Sequence, residues 1–179
     1  MSDKPSYLKV LNAIANGEAR GYALFDAWAK TTRDVELAKT LKTVAICEHE
    51  HAAAFTKRMC ELGYDVRDKP APDFDTRLQC LRSNISDAEK FESVFGYGRE
   101  RGDEGLGGIF NDMSIDPVTG ALLGRFIAEE RDTTRRLQAA YERVKVASID
   151  DSGLDQISQR LERLTKTIEE LKAMRQERR

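Results

Sequence analysis

The chain has 179 residues, of which 34% are charged and 40% hydrophobic, with four prolines and a formal net charge of −2. This composition is typical of a helix-rich domain with one well-filled core, and it argues against a β-sandwich or a disordered chain. Basic and acidic residues are interspersed, the N-terminus has no apolar signal core, and no apolar run approaches the ~20 residues of a membrane span, so we expect a cytoplasmic protein that binds neither nucleic acid nor membrane.

The first predicted helix covers about residues 5–31. Side chains that recur every three or four residues give it one apolar face, with a lone carboxylate near the centre. The positions on this face are Leu8, Leu11, Ile14, Glu18, Tyr22, Phe25 and Trp28. The pattern therefore predicts that Glu18 is buried, with Tyr22 as a core aromatic one turn later.

The second predicted helix follows a short polar joint, Thr31 to Asp34, and ends near Gly63. A joint of this length makes the first two helices antiparallel neighbours. The apolar face of the second helix carries a carboxylate and an imidazole three residues apart. Its positions are Leu41, Val44, Glu48, His51, Phe55, Met59 and Leu62.

The pair Glu48 and His51 has the spacing Glu-x-x-His. Burial of either group without a partner is costly, so a compensating group is expected. Residues three apart on a helix point the same way, and together they can chelate one metal ion. A neutral core histidine that is hydrogen-bonded to Glu48 is the alternative interpretation.

A long crossover, residues 64–85, leaves the second helix and contains one expected helical turn near residues 76–81. Ser86 and Glu89 form a capping box that begins the third predicted helix, which extends towards Met113. Each glycine inside this helix costs about 0.5–1 kcal/mol relative to alanine, so we expect it to be bent, frayed or broken. The glycines are Gly96, Gly98, Gly102, Gly105, Gly107 and Gly108.

The fourth predicted helix begins with Asp116 as N-cap and Pro117 in its first turn. Each position on its apolar face lies 82 residues after a position on the second helix, with Glu130 matching Glu48. This correspondence predicts a duplicated helical hairpin. The face consists of Leu123, Phe126, Glu130, Thr133, Leu137, Tyr141 and Val144.

The last predicted helix covers about residues 153–174, with Asp151 or Ser152 as its cap. Its apolar residues alternate in steps of three and four, which is the pattern of a heptad seam that needs a narrow partner groove. The seam consists of Leu154, Ile157, Leu161, Leu164, Ile168 and Leu171. We therefore expect two domains, a bundle over residues 1–147 and an amphipathic C-terminal helix over residues 148–179 that packs against another protomer or folds back on the bundle.

The three cysteines, Cys47, Cys60 and Cys80, are widely spaced and include no C-x-x-C pair. This spacing excludes a rubredoxin-type or zinc-ribbon module, which needs two such pairs. We expect reduced thiols, and Cys47 and Cys60 lie beside the core face of their helix, where free cysteine usually behaves as a small hydrophobe.

Two helical hairpins, a long crossover, a central Glu18 and the pair Glu48 and His51 together resemble the ferritin-like superfamily, and within it the rubrerythrin-like group, over about residues 5–146. The resemblance implies an antiparallel four-helix bundle whose crossover joins the second and third helices. In that superfamily, carboxylates from all four helices and two histidines bind two iron ions in the bundle core. By position, Glu18, Glu48, His51 and Glu130 would be metal ligands here, for iron or alternatively manganese or zinc.

The sequence departs from the family pattern at two places. Thr133 stands where the second histidine is expected, and Gly102 stands where the third helix should supply a glutamate. Glu100 and Glu104 are the nearest substitutes, although they point away from the apolar face of a regular helix. Glu129 and Asp132 lie behind or at the flank of the fourth helix's core face. We therefore expect an asymmetric site in which one ion is bound and the second is weak or absent.

Two functions follow from these observations. The resemblance implies an oxidoreductase that consumes peroxide or dioxygen at iron, with a degenerate site and an electron donor that the sequence does not identify. The alternative is a bundle without metal that acts as a structural or interaction protein, and forms a homodimer or larger homo-oligomer through its C-terminal helix. A ferritin-type storage cage fits less well, because such a C-terminal helix does not suit that assembly.

Overall fold

The computed structural model describes residues 5–98 and 114–177, except for the side chains of residues 149–157 and 167–177. The described residues form α-helices and no strand, which confirms the all-α prediction. The helices are α1 (Leu8–Ala29), α2 (Val35–Glu61), α3 (Phe74–Arg82), α4 (Asp87–Phe95) and α5 (Pro117–Glu177). The chain divides into two compact units, Met1–Tyr141 and Glu142–Arg179.

Helices α1 and α2 form an antiparallel hairpin. The carboxylate of Asp34 accepts hydrogen bonds from the backbone N–H groups of Glu36 and Leu37, and thereby caps α2 as the sequence predicts. At the other end of α2, Gly63 adopts a left-handed conformation with φ of 81°, which favours glycine. The hairpin packs through apolar side chains, several of which are fully excluded from solvent: Leu11, Trp28, Leu37, Leu41 and Phe55.

The first part of α5 packs on this hairpin. Asp116 caps α5 by accepting from the backbone N–H groups of Val118 and Thr119, which confirms the predicted cap. Phe126 contacts Phe55 edge-on, with ring centroids 5.2 Å apart. These contacts belong to a core cluster formed by Tyr7, Leu8, Leu11, Ile14, Ala15, Phe55, Met59, Leu123 and Phe126.

Helix α4 begins with the predicted capping box of Ser86 and Glu89 and ends at Gly96, which has φ of 70°. The buried ring of Phe91 contacts both Trp28 of α1 and Tyr141 of α5. The indole Nε1 of Trp28 donates a 2.7 Å hydrogen bond to Asp87 Oδ1. Helix α4 is therefore held to α1 by an aromatic contact and by a hydrogen bond from the same indole ring.

Two sequence expectations about helix boundaries are wrong. The crossover contains a nine-residue helix, α3, rather than one turn, and the hydroxyl of Thr31 donates to the carbonyl of Leu81 at its end. The fourth and last predicted helices are a single helix, α5, because the candidate caps Asp151 and Ser152 stay within helical backbone and no proline interrupts it. The third predicted helix stops at Phe95, and its extension across residues 99–113 lies outside the described residues.

In the second unit, residues 158–166 are all exposed, including two leucines of the predicted seam. Leu161 and Leu164 retain 59% and 54% of their accessible surface. Across the described part of the chain, no helix combines the length and the apolar character that crossing a membrane requires.

Candidate metal centre

Three helices of the first unit bring ionisable side chains together in the middle of the helical core. Helix α1 supplies Glu18, α2 supplies Glu48 and His51, and α5 supplies Glu129 and Glu130. Glu18, Glu48 and His51 are each buried, with 8%, 8% and 5% of their surface exposed. The edge of the Phe126 ring packs on the imidazole at a centroid distance of 5.0 Å and holds its orientation.

The imidazole of His51 lies at the centre of the cluster and has a carboxylate at each ring nitrogen. Nδ1 lies 3.1 Å from Glu18 Oε2, and Nε2 lies 2.7 Å from Glu129 Oε2. A third carboxylate oxygen, Glu130 Oε1, lies 3.6 Å from Nδ1. Burial alone would lower the pKa of His51, but the hydrogen bonds with Glu18 and Glu129 together with the charges of Glu18 and Glu130 raise it.

The carboxyl group of Glu48 lies against the backbone of α1 at Gly21. A Cβ at position 21 would overlap Glu48 Oε2, so a residue without a side chain is what makes room for this carboxyl group. Burial, together with the charges of Glu18 and Glu130, raises the pKa of Glu48 to about 9. At neutral pH without a bound cation, Glu48 is therefore protonated and can donate a hydrogen bond to Glu18.

Glu130 is the least satisfied member of the cluster. Its Oε1 atom is buried and has no hydrogen-bond partner among the described residues. Burial and the negative charge of Glu18 raise the pKa of Glu130 to about 7. Buried acceptors usually have a partner, so this oxygen marks a place where a proton or a cation is needed.

Glu129 is held by two partners. Its Oε1 accepts a 2.9 Å hydrogen bond from Arg125 Nε, one turn earlier on α5, while its Oε2 contacts His51. The hydrogen bond with His51 lowers the pKa of Glu129, so this carboxylate is ionised. Cys47 lies on the same side of the imidazole, with its Sγ 3.6 Å from Nε2.

The donor set fits a divalent metal ion. Oxygen atoms of Glu18 and Glu130 and a nitrogen of His51 lie within 4.8 Å of one another, which is a separation that one ion can span. A dication would also remove the repulsion that raises the carboxyl pKa values of Glu48 and Glu130. Such an ion would give Oε1 of Glu130 the close partner that it lacks among the hydrogen bonds of the described residues.

Of the predicted ligands, Glu18, His51 and Glu130 have ligand atoms within reach of one ion, and the buried Glu48 lies beside Glu18. Glu100 and Glu104 lie outside the described residues. Thr133, at the place of the missing second histidine, is buried within α5.

Three other expectations near the site need correction. Tyr22 was predicted to be a core aromatic, but it is 38% exposed and its ring lies 4.9 Å from that of His49. Glu129 was predicted to lie too far around α5 to reach the site, yet it contacts His51 directly. Cys47 was predicted to behave as a small hydrophobe beside the core face, but its Sγ makes a polar contact with Nε2 of the imidazole.

Comparisons of the chain with protein-family models, with curated proteins and with solved structures find no match. The resemblance to the ferritin-like superfamily consequently stays a prediction from the residues.

Proposed function

We propose that this protein binds one divalent metal ion through Glu18, Glu48, His51 and Glu130. The observation that carries the proposal is the convergence of Glu18 and Glu130 on Nδ1 of one buried imidazole, with Oε1 of Glu130 buried and lacking a hydrogen-bond partner among the described residues. Glu48 joins the group through its contact with Glu18.

The charge balance supports a cation at this place. Glu18 and Glu130 face Nδ1 of one imidazole and Glu48 lies beside them, so ionising all three carboxyl groups without a counter-charge is unfavourable. Protonation of Glu48 and Glu130 is one way to remove the repulsion, and the raised pKa values of both groups show that it is favoured without a cation. A dication is the other solution, and it satisfies all four ligands together.

One nitrogen and several carboxylate oxygens form a donor set suited to iron, manganese or zinc. A second ion would have no imidazole of its own, because Thr133 occupies the place of the second histidine. We therefore propose a mononuclear centre with little or no di-iron oxidase activity. Bound iron would supply redox chemistry, and any consumption of peroxide or dioxygen would depend on it.

We also propose that α1, α2, α4 and the first part of α5 represent an antiparallel ferritin-like four-helix bundle, with α3 in its crossover. Support comes from two contacts between α2 and α5, His51 with Glu129 and Arg58 with Thr119. The residue number falls along α5 as it rises along α2, so these two helices are antiparallel. The aromatic contacts of Phe91 with Trp28 and Tyr141 place α4 beside α1 and α5.

The test is the metal content of protein expressed with iron and manganese supplied, measured by elemental analysis. We expect about one ion per chain in the wild type, and loss of that ion in His51→Ala. His49→Ala is the matched control, because His49 is the only other histidine, lies on the same helix and is exposed. Wild type without metal would overturn the proposal, and two ions per chain would overturn the mononuclear centre.

A second candidate function is that of a structural protein that self-associates through the C-terminal helix. The observation that favours it is the exposure of Leu161 and Leu164 within a heptad seam, because two copies of one seam are complementary to each other. Sedimentation of the Leu161→Glu, Leu164→Glu double variant would show a smaller assembly than the wild type. Gln159→Glu, on the opposite side of the helix, is the control, and a monomeric wild type would contradict this function.

A further inference from the structure

We propose a second metal site on the opposite side of His51, formed by the Cys47 thiolate, Nε2 of His51 and the Glu129 carboxylate, for a thiolate-binding divalent ion of the zinc class. These three ligand atoms lie within 4.8 Å of one another. The site uses Nε2 of His51, whereas the site of the proposed function uses Nδ1, so this proposal stands or falls separately from that function.

The first argument is the spacing of Cys47 and His51. They are four residues apart on α2, so both side chains lie on one side of the helix and can bind one ion. The Sγ atom lies 3.6 Å from Nε2. In tetrahedral zinc sites, metal–sulfur and metal–nitrogen bonds of about 2.3 and 2.0 Å put these two atoms about 3.5 Å apart. The two ligands therefore already have nearly the separation that such an ion requires.

The second argument is the orientation of Glu129. Arg125 occupies its Oε1 atom at 2.9 Å, which leaves Oε2 directed at the imidazole. Oε2 and Nε2 are 2.7 Å apart, the length of a hydrogen bond, and tetrahedral coordination to one ion would increase this distance to about 3.3 Å. Only one carboxylate oxygen is thus available, and Glu129 would bind the ion through that atom alone.

The third argument is access. A cavity of about 380 Å³ opens beside the imidazole between α2 and α5, and both His51 and Glu129 line it. Its remaining wall is mainly apolar, formed by residues that include Ala54, Leu122 and Phe126. Catalytic zinc sites have three protein ligands and a fourth position for water or substrate. The cavity offers space for such a fourth ligand, of small size and partly apolar character.

The two sites differ in chemistry and compete for one imidazole. Carboxylates dominate around Nδ1, whereas a sulfur atom lies beside Nε2, and soft thiolates select ions such as zinc. A neutral imidazole has one unprotonated nitrogen. When Nε2 binds the ion, the Nδ1–H group donates to Glu18, and such a carboxylate partner is the usual support of a metal-bound histidine. Burial and the charge of Glu129 raise the pKa of the Cys47 thiol to about 11, so the thiol is protonated without a cation and binding releases its proton to solvent.

Cobalt(II) alone is the probe, because a cobalt–thiolate bond gives a charge-transfer band in the near ultraviolet. We expect wild-type protein to develop this band and to saturate near one cobalt per chain. The Cys60→Ala, Cys80→Ala double variant should keep it, since Cys47 is then the only thiol in the chain. Cys47→Ala should lose the band while keeping its helical circular dichroism, and Glu129→Gln should weaken cobalt binding about tenfold or more.

Glu130→Gln separates this proposal from the first site. It removes a ligand of the Nδ1 side only, so the cobalt–thiolate band should remain even where iron or manganese binding is lost. A wild type without the band, or a band that survives Cys47→Ala, would overturn the second site and leave the proposed function untouched.

Discussion

The backbone of Gly21 on α1 faces the carboxyl group of Glu48 on α2 so closely that even a methyl group at position 21 would overlap it. A glycine in the interior of a helix is unfavourable by about 0.5–1 kcal/mol relative to alanine. At position 21, the absence of a side chain lets the buried carboxyl group of Glu48 reach Glu18, which lies one turn before Gly21 on α1. Position 17, one turn before position 21, has no such constraint.

Gly21→Ala should displace the Glu48 carboxyl group and weaken metal binding, with a loss of thermal stability. Gly17→Ala is the matched control, because, apart from the adjoining backbone of α1, no atom of the described residues lies within 4 Å of a Cβ built there. That control should gain about 0.5–1 kcal/mol from helix propensity and retain its metal. Metal affinity measured by titration, and unfolding followed by circular dichroism, check both variants. Equal metal affinity in the two would show that Glu48 adjusts without consequence.

Metal-free protein should lose stability as the pH rises from about 5 to 9. The pKa of Glu48 is raised from 4.5 to about 9, and that of Glu130 from 4.5 to about 7, so the folded state binds more protons than the unfolded chain across this range. Stability falls with pH wherever the folded state binds more protons. The midpoint of thermal unfolding, measured in chelator-treated buffers, should decline over this window.

Glu48→Gln is the control for this pH dependence, because its amide stays neutral and can still donate to Glu18. Its midpoint should vary less with pH than that of the wild type. Saturating metal should remove or reverse the wild-type decline, since a cation favours the ionised carboxylates. Parallel pH profiles for wild type and Glu48→Gln would contradict the assignment of the effect to Glu48.

Asp116→Ala should destabilise the protein by about 2–4 kcal/mol, because it removes a helix cap and leaves charged and polar partners unpaired. Besides capping α5, Asp116 accepts from the hydroxyls of Tyr7 and Thr119, each at 2.7 Å, and from Arg58 at 2.8 Å. Denaturant unfolding gives the change in free energy.

A matched carboxylate is Asp68, whose ion pair with Arg20 is exposed. Asp68→Ala should change stability by less than about 0.5 kcal/mol. The hydrogen bonds from Thr119 and Tyr7 hold the pKa of Asp116 below its usual range. Its contribution is therefore present above the unfolded value of 3.8 and is lost as the pH falls below it, so wild type and Asp116→Ala should converge in acid. A constant difference down to strong acid would argue against this role.

Thr133→His should add to α5 the second imidazole that the ferritin-like pattern places at this position. Thr133 is buried on α5 one turn after Glu130, in the same relation that His51 has to Glu48. We expect the metal content to rise from about one ion per chain towards two, at a packing cost of about 1–3 kcal/mol. Thr133→Gln, similar in bulk and a poor ligand, should not add an ion. Unchanged metal content in a folded Thr133→His variant would argue against a latent second position.

The sequence pattern predicted the buried faces of α1, α2 and α5 well, because apolar periodicity and burial follow the same helical geometry. Glu18, Glu48 and His51 were found by that pattern alone. The contact of Glu129 with His51 was not predicted, because position on a helical wheel does not account for the length of the glutamate side chain. It also does not account for the hydrogen bond from Arg125, four residues earlier, which orients the carboxylate. The pair Arg125 and Glu129 is a signal that the sequence does contain.

Other features depended on tertiary contacts that periodicity does not describe. Tyr22 has the spacing of a core residue, yet it lies at the edge of the hairpin against His49. Gly21 has a meaning only once Glu48 is known to face it. Similarly, the continuation of α5 through Asp151 and Ser152 shows that residues able to cap a helix do not oblige it to begin there.

Trp28 is the only tryptophan of the chain, and its indole ring is fully buried between α1 and α4, with Phe91 edge-on and Asp87 at its N–H group. Its fluorescence therefore reports on one place in the molecule, the contact between α4 and α1. Release of α4 would shift the emission to longer wavelength while circular dichroism still recorded the long helices. The two signals together distinguish local opening beside α4 from loss of the whole core.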